Sequence, residues 1–279
     1  MSLTSCEIFG NWTNQHIVPW VELNRIGHFG AIDYIVTGLR NWLPHTNAAI
    51  VSTIPGGESN YFEIMKRLPR KQMTIIPGIK TYTLLNGLDD MDGWAQIRLE
   101  IARCCNTAKM NTILIEMEAA QWPFLMGTEN IDMVKFQKGL ELLPKNLHYI
   151  WYPTIDNVHP DSSMRKRMYP YLKIINEILS PLWLSAGYSR PQTPLPTTWS
   201  IISQEFLRRL NREKYVNWSM PLLFPIYCYG PKTKWWEDEQ VPHVINSIPS
   251  GDIAIIYPGY VYWLESSKKI VDLISPENK

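Results

Sequence analysis

Apolar residues recur along the chain in two alternating textures. Eight short runs are rich in aliphatic, β-branched or aromatic residues: Cys6–Trp12, Ala48–Ile54, Met73–Lys80, Thr112–Glu118, His148–Thr154, Leu182–Tyr188, Pro221–Cys228 and Ile253–Tyr257. They are too uniformly apolar for strands that show one face to water, and read as strands buried on both faces. Between them lie longer segments with apolar residues every three to four positions. Trp94, Ile97, Ile101 and Cys105 follow that spacing, as do Met164, Met168, Tyr171, Ile175 and Ile178. Both predict amphipathic helices. Further helices are expected over Glu58–Leu68, Asn130–Leu143, Glu239–Ile248 and Leu264–Ile274, and around Phe206–Leu210. The segment Asp33–Leu39 reads either as a strand or as the first crossover helix. As a helix it keeps the strand count at eight, the pattern of a single (β/α)8 TIM barrel, an α/β fold of about 250 residues. As a strand it would open the way to a doubly wound sheet. The expectation is one barrel domain over residues 1–279.

In a barrel of this kind chemistry sits at the C-terminal ends of the strands. The fourth run, Thr112-Ile-Leu-Ile-Glu-Met-Glu118, is the informative one. Strand side chains alternate faces, so Glu116 and Glu118 project to one side and Met117 to the other. Two neighbouring carboxylates can share a proton, which keeps one of them available as an acid near neutral pH. That makes Glu118 and Glu116 the catalytic candidates. The alternative pairs Glu116 with Lys80 or Arg190 and leaves Glu118 in solvent. Other strand ends contribute candidate substrate contacts: Trp12, Lys80, Trp122, Tyr152, Asp156, Tyr188, Tyr227, Tyr257 and Trp263. Lys80 also suggests a Schiff-base lysine, because it closes an apolar strand.

Composition sharpens this picture at one point. The 279 residues include 12 Trp, 14 Tyr and 7 Phe. Sugar rings stack their apolar faces on aromatic planes, so aromatics beyond strand ends read as a carbohydrate platform, while Trp20, Trp42, Trp94 and Trp199 are expected on helices in the shell. Twenty-seven basic and 26 acidic residues balance to a formal charge of +1. That argues against nucleic acid held by phosphate contacts and against a polybasic membrane surface. No apolar stretch is long enough for a membrane span. The start, Met-Ser-Leu-Thr-Ser-Cys, has neither a basic nor an apolar leader segment, so a soluble protein is expected. It would be cytoplasmic, or secreted or periplasmic where a leader had been removed. Oligomeric state is left open. The six histidines form no H-x-H or H-x-x-x-H pair, and no catalytic metal is expected. No G-x-S-x-G, G-x-G-x-x-G or phosphate-loop pattern occurs, so no cofactor is expected. Cys6, Cys104, Cys105 and Cys228 show no C-x-x-C spacing and read as buried free thiols.

An aliphatic strand closing in acid-x-acid resembles the fourth strand of barrel glycosidases of the chitinase (family 18) type. Similar strands occur in family 25 lysozymes and hyaluronidases. With the last Glu of the D-x-x-D-x-D-x-E pattern placed on Glu118, Glu116 takes the preceding acid position, and Leu114 and Asn111 stand where the family has Asp. The resemblance covers eight residues. It implies a glycoside hydrolase acting on a poly- or oligosaccharide, with Glu118 as general acid and Glu116 as its partner carboxylate. It also implies a Tyr on a later strand, Tyr188 or Tyr227, and a floor Trp, Trp263. The two missing acids suggest a rival: a barrel that binds carbohydrate without hydrolysing it.

Overall fold

The fold is taken from a computed structural model, which describes residues 17–23, 30–68, 73–117, 131–152, 163–183, 223–227, 253–257, 264, 267–268 and 271–272. Strands and helices alternate along the chain. The strands are β1 (Ile17–Glu22), β2 (Ala48–Thr53), β3 (Thr74–Lys80), β4 (Thr112–Glu116), β5 (His148–Tyr152), β6 (Leu182–Trp183), β7 (Leu223–Tyr227) and β8 (Ile253–Tyr257). The helices are α1 (Gly30–Trp42), α2 (Ser59–Arg67), α3 (Met91–Ala108), α4 (Met133–Glu141) and α5 (Ser163–Leu179). All eight strands lie in one sheet in the order β6-β5-β4-β3-β2-β1-β8-β7, and every described pairing is parallel. The order follows the chain from β6 back to β1, with β8 beside β1 and β7 beside β8. The fold is α/β and TIM-barrel-like.

The segment 33–39 is helical, as the eight-strand count requires. Ile35, Val36, Leu39 and Trp42 are buried while Asp33, Thr37 and Arg40 are exposed, a 3.6-residue period that emerges over the thirteen residues of α1. One expected strand is displaced. The run Cys6–Trp12 lies outside the described residues, and the place beside β2 and β8 is taken by Ile17–Glu22. Trp20 therefore stands on β1 and not on a helix. Pro19 lacks a backbone N–H and Glu22 closes the run with a charge, features that Thr74–Lys80 shares. Pro77 in β3 and Pro225 in β7 are likewise strand prolines.

Alternation along the strands separates two faces. Val51, Ile79, Ile113, Ile115, Met117 and Trp151 join one large cluster with the helices, packing on Ile35, Leu39, Trp94, Ile97, Ile101, Phe136 and Leu140. Val18, Trp20, Ile50, Ile76, Leu114, Ile150 and Leu182 are just as buried but lie outside that cluster, on the opposite, inward face. Within the helical layer, α3 begins at Asp90, whose carboxylate accepts from the Gly93 amide at 3.0 Å. Trp94 donates to the Leu88 carbonyl at 2.7 Å and lies against Gly139 of α4. A β-carbon at Gly139 would fall 2.2 Å from the Trp94 ring, so glycine there sets how closely α3 and α4 approach.

Cys104 and Cys105 are free and buried, and burial pushes each thiol up to about 12. Cys6 and Cys228 lie outside the described residues. Burial, and then the neighbouring Cys104, raises the Tyr61 phenol well above its ordinary value. The hydroxyl remains protonated and donates to the Gly78 carbonyl at 2.8 Å, tying α2 to β3. Among the described residues no helix is long and apolar enough to cross a membrane.

Candidate active site

The inward face changes character along the strands. Lower down, its described residues are mostly aliphatic, with Trp20 and Thr112 among them. At the C-terminal ends the residues become Glu22 on β1, Ser52 on β2, Lys80 on β3, Glu116 on β4 and Tyr152 on β5, all buried. Register places them in two staggered rows. Glu22 stands opposite Ser52, and Ser52 opposite Gly78. One step further on, Lys80 stands opposite Glu116, and Glu116 opposite Tyr152.

Lys80 is the centre of this layer. Its Nζ donates to Glu22 Oε2 at 2.9 Å and lies 3.5 Å from Glu116 Oε1. The lysine is 2% exposed, Glu116 3% and Glu22 7%, so the three charges are held out of water together. A buried ion needs such partners, since desolvating it alone costs several kcal/mol. The contact to Glu116 is local, because β3 and β4 are paired neighbours. The contact to Glu22 crosses β2. Two small residues leave the space for it: Gly78 has no side chain, and a β-carbon there would fall 2.3 Å from Ser52 Oγ. Ser52 in turn accepts from Trp20 Nε1 at 2.8 Å, and the Trp20 ring meets the Tyr152 ring edge-on at 5.3 Å. Aromatic packing and ion pairing thus share one floor.

The backbone at the exit of β4 is pegged on both sides. Thr81 Oγ1 donates to the Glu116 carbonyl at 3.1 Å, and the Met117 amide donates to the Tyr152 carbonyl at 2.9 Å. Met117 packs into the helical layer while Glu116 faces inward, the alternation expected from the run.

Of the residues singled out from the sequence, Glu116, Lys80 and Tyr152 are brought together here. The Glu116–Lys80 pairing is the alternative the sequence left open. Tyr227 and Tyr257 end β7 and β8 and stand opposite each other in register. Trp12, Glu118, Trp122, Asp156, Tyr188 and Trp263 lie outside the described residues. Glu22 is the member that sequence reasoning missed. A signal was present: Ile17-Val-Pro-Trp-Val-Glu22 is an apolar run closing in a charge, as are Thr74–Lys80 and Thr112–Glu116. Among the described residues no cluster of His, Cys, Asp and Glu suits a metal ion.

No protein-family model and no curated protein sequence matches the chain. Solved structures do match. Two crystal structures of a Toxoplasma gondii protein assigned as a deoxyribose-phosphate aldolase superpose with TM-scores of 0.56 and 0.53, at 10% and 12% identity. They cover 94% of this chain in both cases, and 95% and 93% of theirs. A GH18 chitinase from Pseudoalteromonas aurantia superposes with a TM-score of 0.50 at 15% identity, covering 92% of this chain and 99% of its own. At such identities the likeness is one of fold. The chain shares its TIM-barrel-like architecture with both proteins.

Proposed function

We propose that the protein is a glycoside hydrolase acting on a poly- or oligosaccharide at the C-terminal mouth of a closed (β/α)8 barrel spanning residues 1–279. Closure is supported by the strand order, in which β8 lies between β1 and β7. The observation that carries the functional reading is the inward charged layer at the strand ends, where Glu116 closes β4 beside Lys80. Glu118 follows Glu116 by two residues and is the proposed general acid, donating its proton to the leaving glycosidic oxygen. Glu116 serves as the partner carboxylate, held by Lys80 instead of sharing a proton with Glu118. Trp12, Trp122 and Trp263 are proposed stacking platforms, and Tyr152, Asp156, Tyr188, Tyr227 and Tyr257 proposed polar contacts. No cofactor, metal, nucleic acid or membrane enters the reading.

The decisive experiment measures reducing-sugar release from chitin oligosaccharides and hyaluronan by the full chain and its Glu118→Gln variant. Removal of a general acid lowers turnover by about 10²–10⁴-fold. Full activity in the variant would remove Glu118 from the mechanism.

A second reading draws on the Lys80–Glu116 contact. An ion-paired Glu116 and the absent acids at positions 111 and 114 suit a barrel that binds carbohydrate without turnover. It predicts quenching of tryptophan fluorescence by the same oligosaccharides with no sugar released. A Schiff-base role for Lys80 fits the geometry poorly. Amine nucleophiles are activated by neighbouring cations or by an apolar pocket, whereas Lys80 lies between two carboxylates.

A further inference from the structure

Glu22, Lys80 and Glu116 are buried together at the strand ends. A buried ion cluster is repaid only where its geometry and remaining hydrogen bonds are excellent, and apolar residues of similar volume often do as well or better. Here the Lys80–Glu116 approach is long, at 3.5 Å, against 2.9 Å to Glu22. Beneath the cluster, the described inward side chains of neighbouring strands are largely aliphatic, among them Ile50, Ile76, Leu114 and Ile150. The three charges stand at the C-terminal ends of β1, β3 and β4, in two adjacent rows, with β2 between β1 and β3. Two small residues, Ser52 and Gly78, keep the path between β1 and β3 clear.

We propose that Glu22, Lys80 and Glu116 form a positioning triad, retained for the chemistry of the mouth at no gain to the fold. Glu22 is thereby a functional carboxylate beside those of β4, and Lys80 the cation that fixes both. Acting through Glu116 and the pegged backbone at Met117, the triad fixes the exit of β4, the point from which the chain runs on to the proposed general acid. This last step rests on the glycosidase reading; the claim about stability does not.

The test compares thermal unfolding of the full chain, its Lys80→Met variant and the triple variant Glu22→Met, Lys80→Met, Glu116→Met. Lys80→Met leaves two buried carboxylates without their cation and lowers Tm by about 5–15 °C. The triple variant, similar in volume and uncharged at these positions, recovers to within about 3 °C of the parent or above it. A triple variant as unstable as Lys80→Met would show that the fold requires the charges, and would overturn the proposal. The second measurement is turnover of chitin oligosaccharides and hyaluronan by a Glu22→Gln variant, which leaves Glu116 and Lys80 in place. Loss of kcat in a protein of parental stability is expected, and a merely structural triad would not produce it. Parental turnover in a stable Glu22→Gln variant would equally overturn the proposal. Where the parent itself releases no sugar, the glycosidase reading fails and the unfolding comparison alone decides the triad.

Discussion

The two faces of the central sheet obey different rules, although the same strands build both. On β4 the helix-facing residues Ile113, Ile115 and Met117 are apolar to the end of the strand, whereas the inward residues run Thr112, Leu114, Glu116. The helix-facing side meets one environment throughout its length, a packed layer of α1 to α5, and its composition is uniform. The inward side changes along its length, from mostly apolar residues to Glu22, Lys80 and Glu116 at the strand ends. Uniformity accompanies packing against a single layer, and the change of chemistry along the strand is the feature on which the proposed site rests.

That contrast can be broken by substitutions on either side. The largest effect on stability belongs to the helical layer. Trp94→Ala empties a fully buried site where α3, α4 and the Leu88 turn meet, and should lower the free energy of unfolding by about 3–5 kcal/mol in a urea titration. A loss below 1 kcal/mol would mean that this layer is not the principal core. On the inward side, Ser52→Ala removes the acceptor of the buried Trp20 Nε1–H. It should lower stability by about 1–3 kcal/mol and alter the Trp20 contribution to fluorescence. An unchanged spectrum and midpoint would detach Ser52 from the floor of the mouth. The smallest effect belongs to a helix end. Asp90 is held below the usual aspartate range, first by its hydrogen bond from the Gly93 amide. A depressed carboxyl stabilises the fold above its unfolded value and ceases to do so as pH falls through its folded one. Asp90→Ala should therefore lower stability by about 1 kcal/mol at neutral pH. The difference between parent and variant should close in acid, below the ordinary aspartate range. A difference that persisted there would point to packing and not to charge.

Legibility in the sequence followed the same division. Uniform strands such as Ala48–Thr53 and Thr74–Lys80 were readable from local texture, because burial on both faces leaves no polar interruption. The helix over Gly30–Trp42 needed its whole length, since Tyr34-Ile-Val36 alone is strand-like. Ile17–Glu22 is not told apart by its proline and terminal charge, which Thr74–Lys80 shares; the nearby run Cys6–Trp12 offers the same texture, and local sequence does not decide which of the two pairs with β2. At the mouth, Lys80 and Glu116 were legible as charged residues closing apolar runs on adjacent strands. The reach of Lys80 to Glu22 was not. It depends on the register of β1, β2 and β3 and on the smallness of Ser52 and Gly78, relations between distant segments that no single stretch of chain contains.

The strand prolines carry a consequence for the life of the chain before it is folded. Ile17–Glu22, Thr74–Lys80 and Leu223–Tyr227 are short, apolar and β-prone, the composition of segments that stack into cross-β fibrils. Pro19, Pro77 and Pro225 interrupt each of them with a residue that cannot donate to a growing ladder. Parallel sheets assemble from distant segments and form slowly, leaving such strands exposed while they wait for partners. A proline in three of the eight acts as a gatekeeper during that interval, making each a poor template for a second copy of itself.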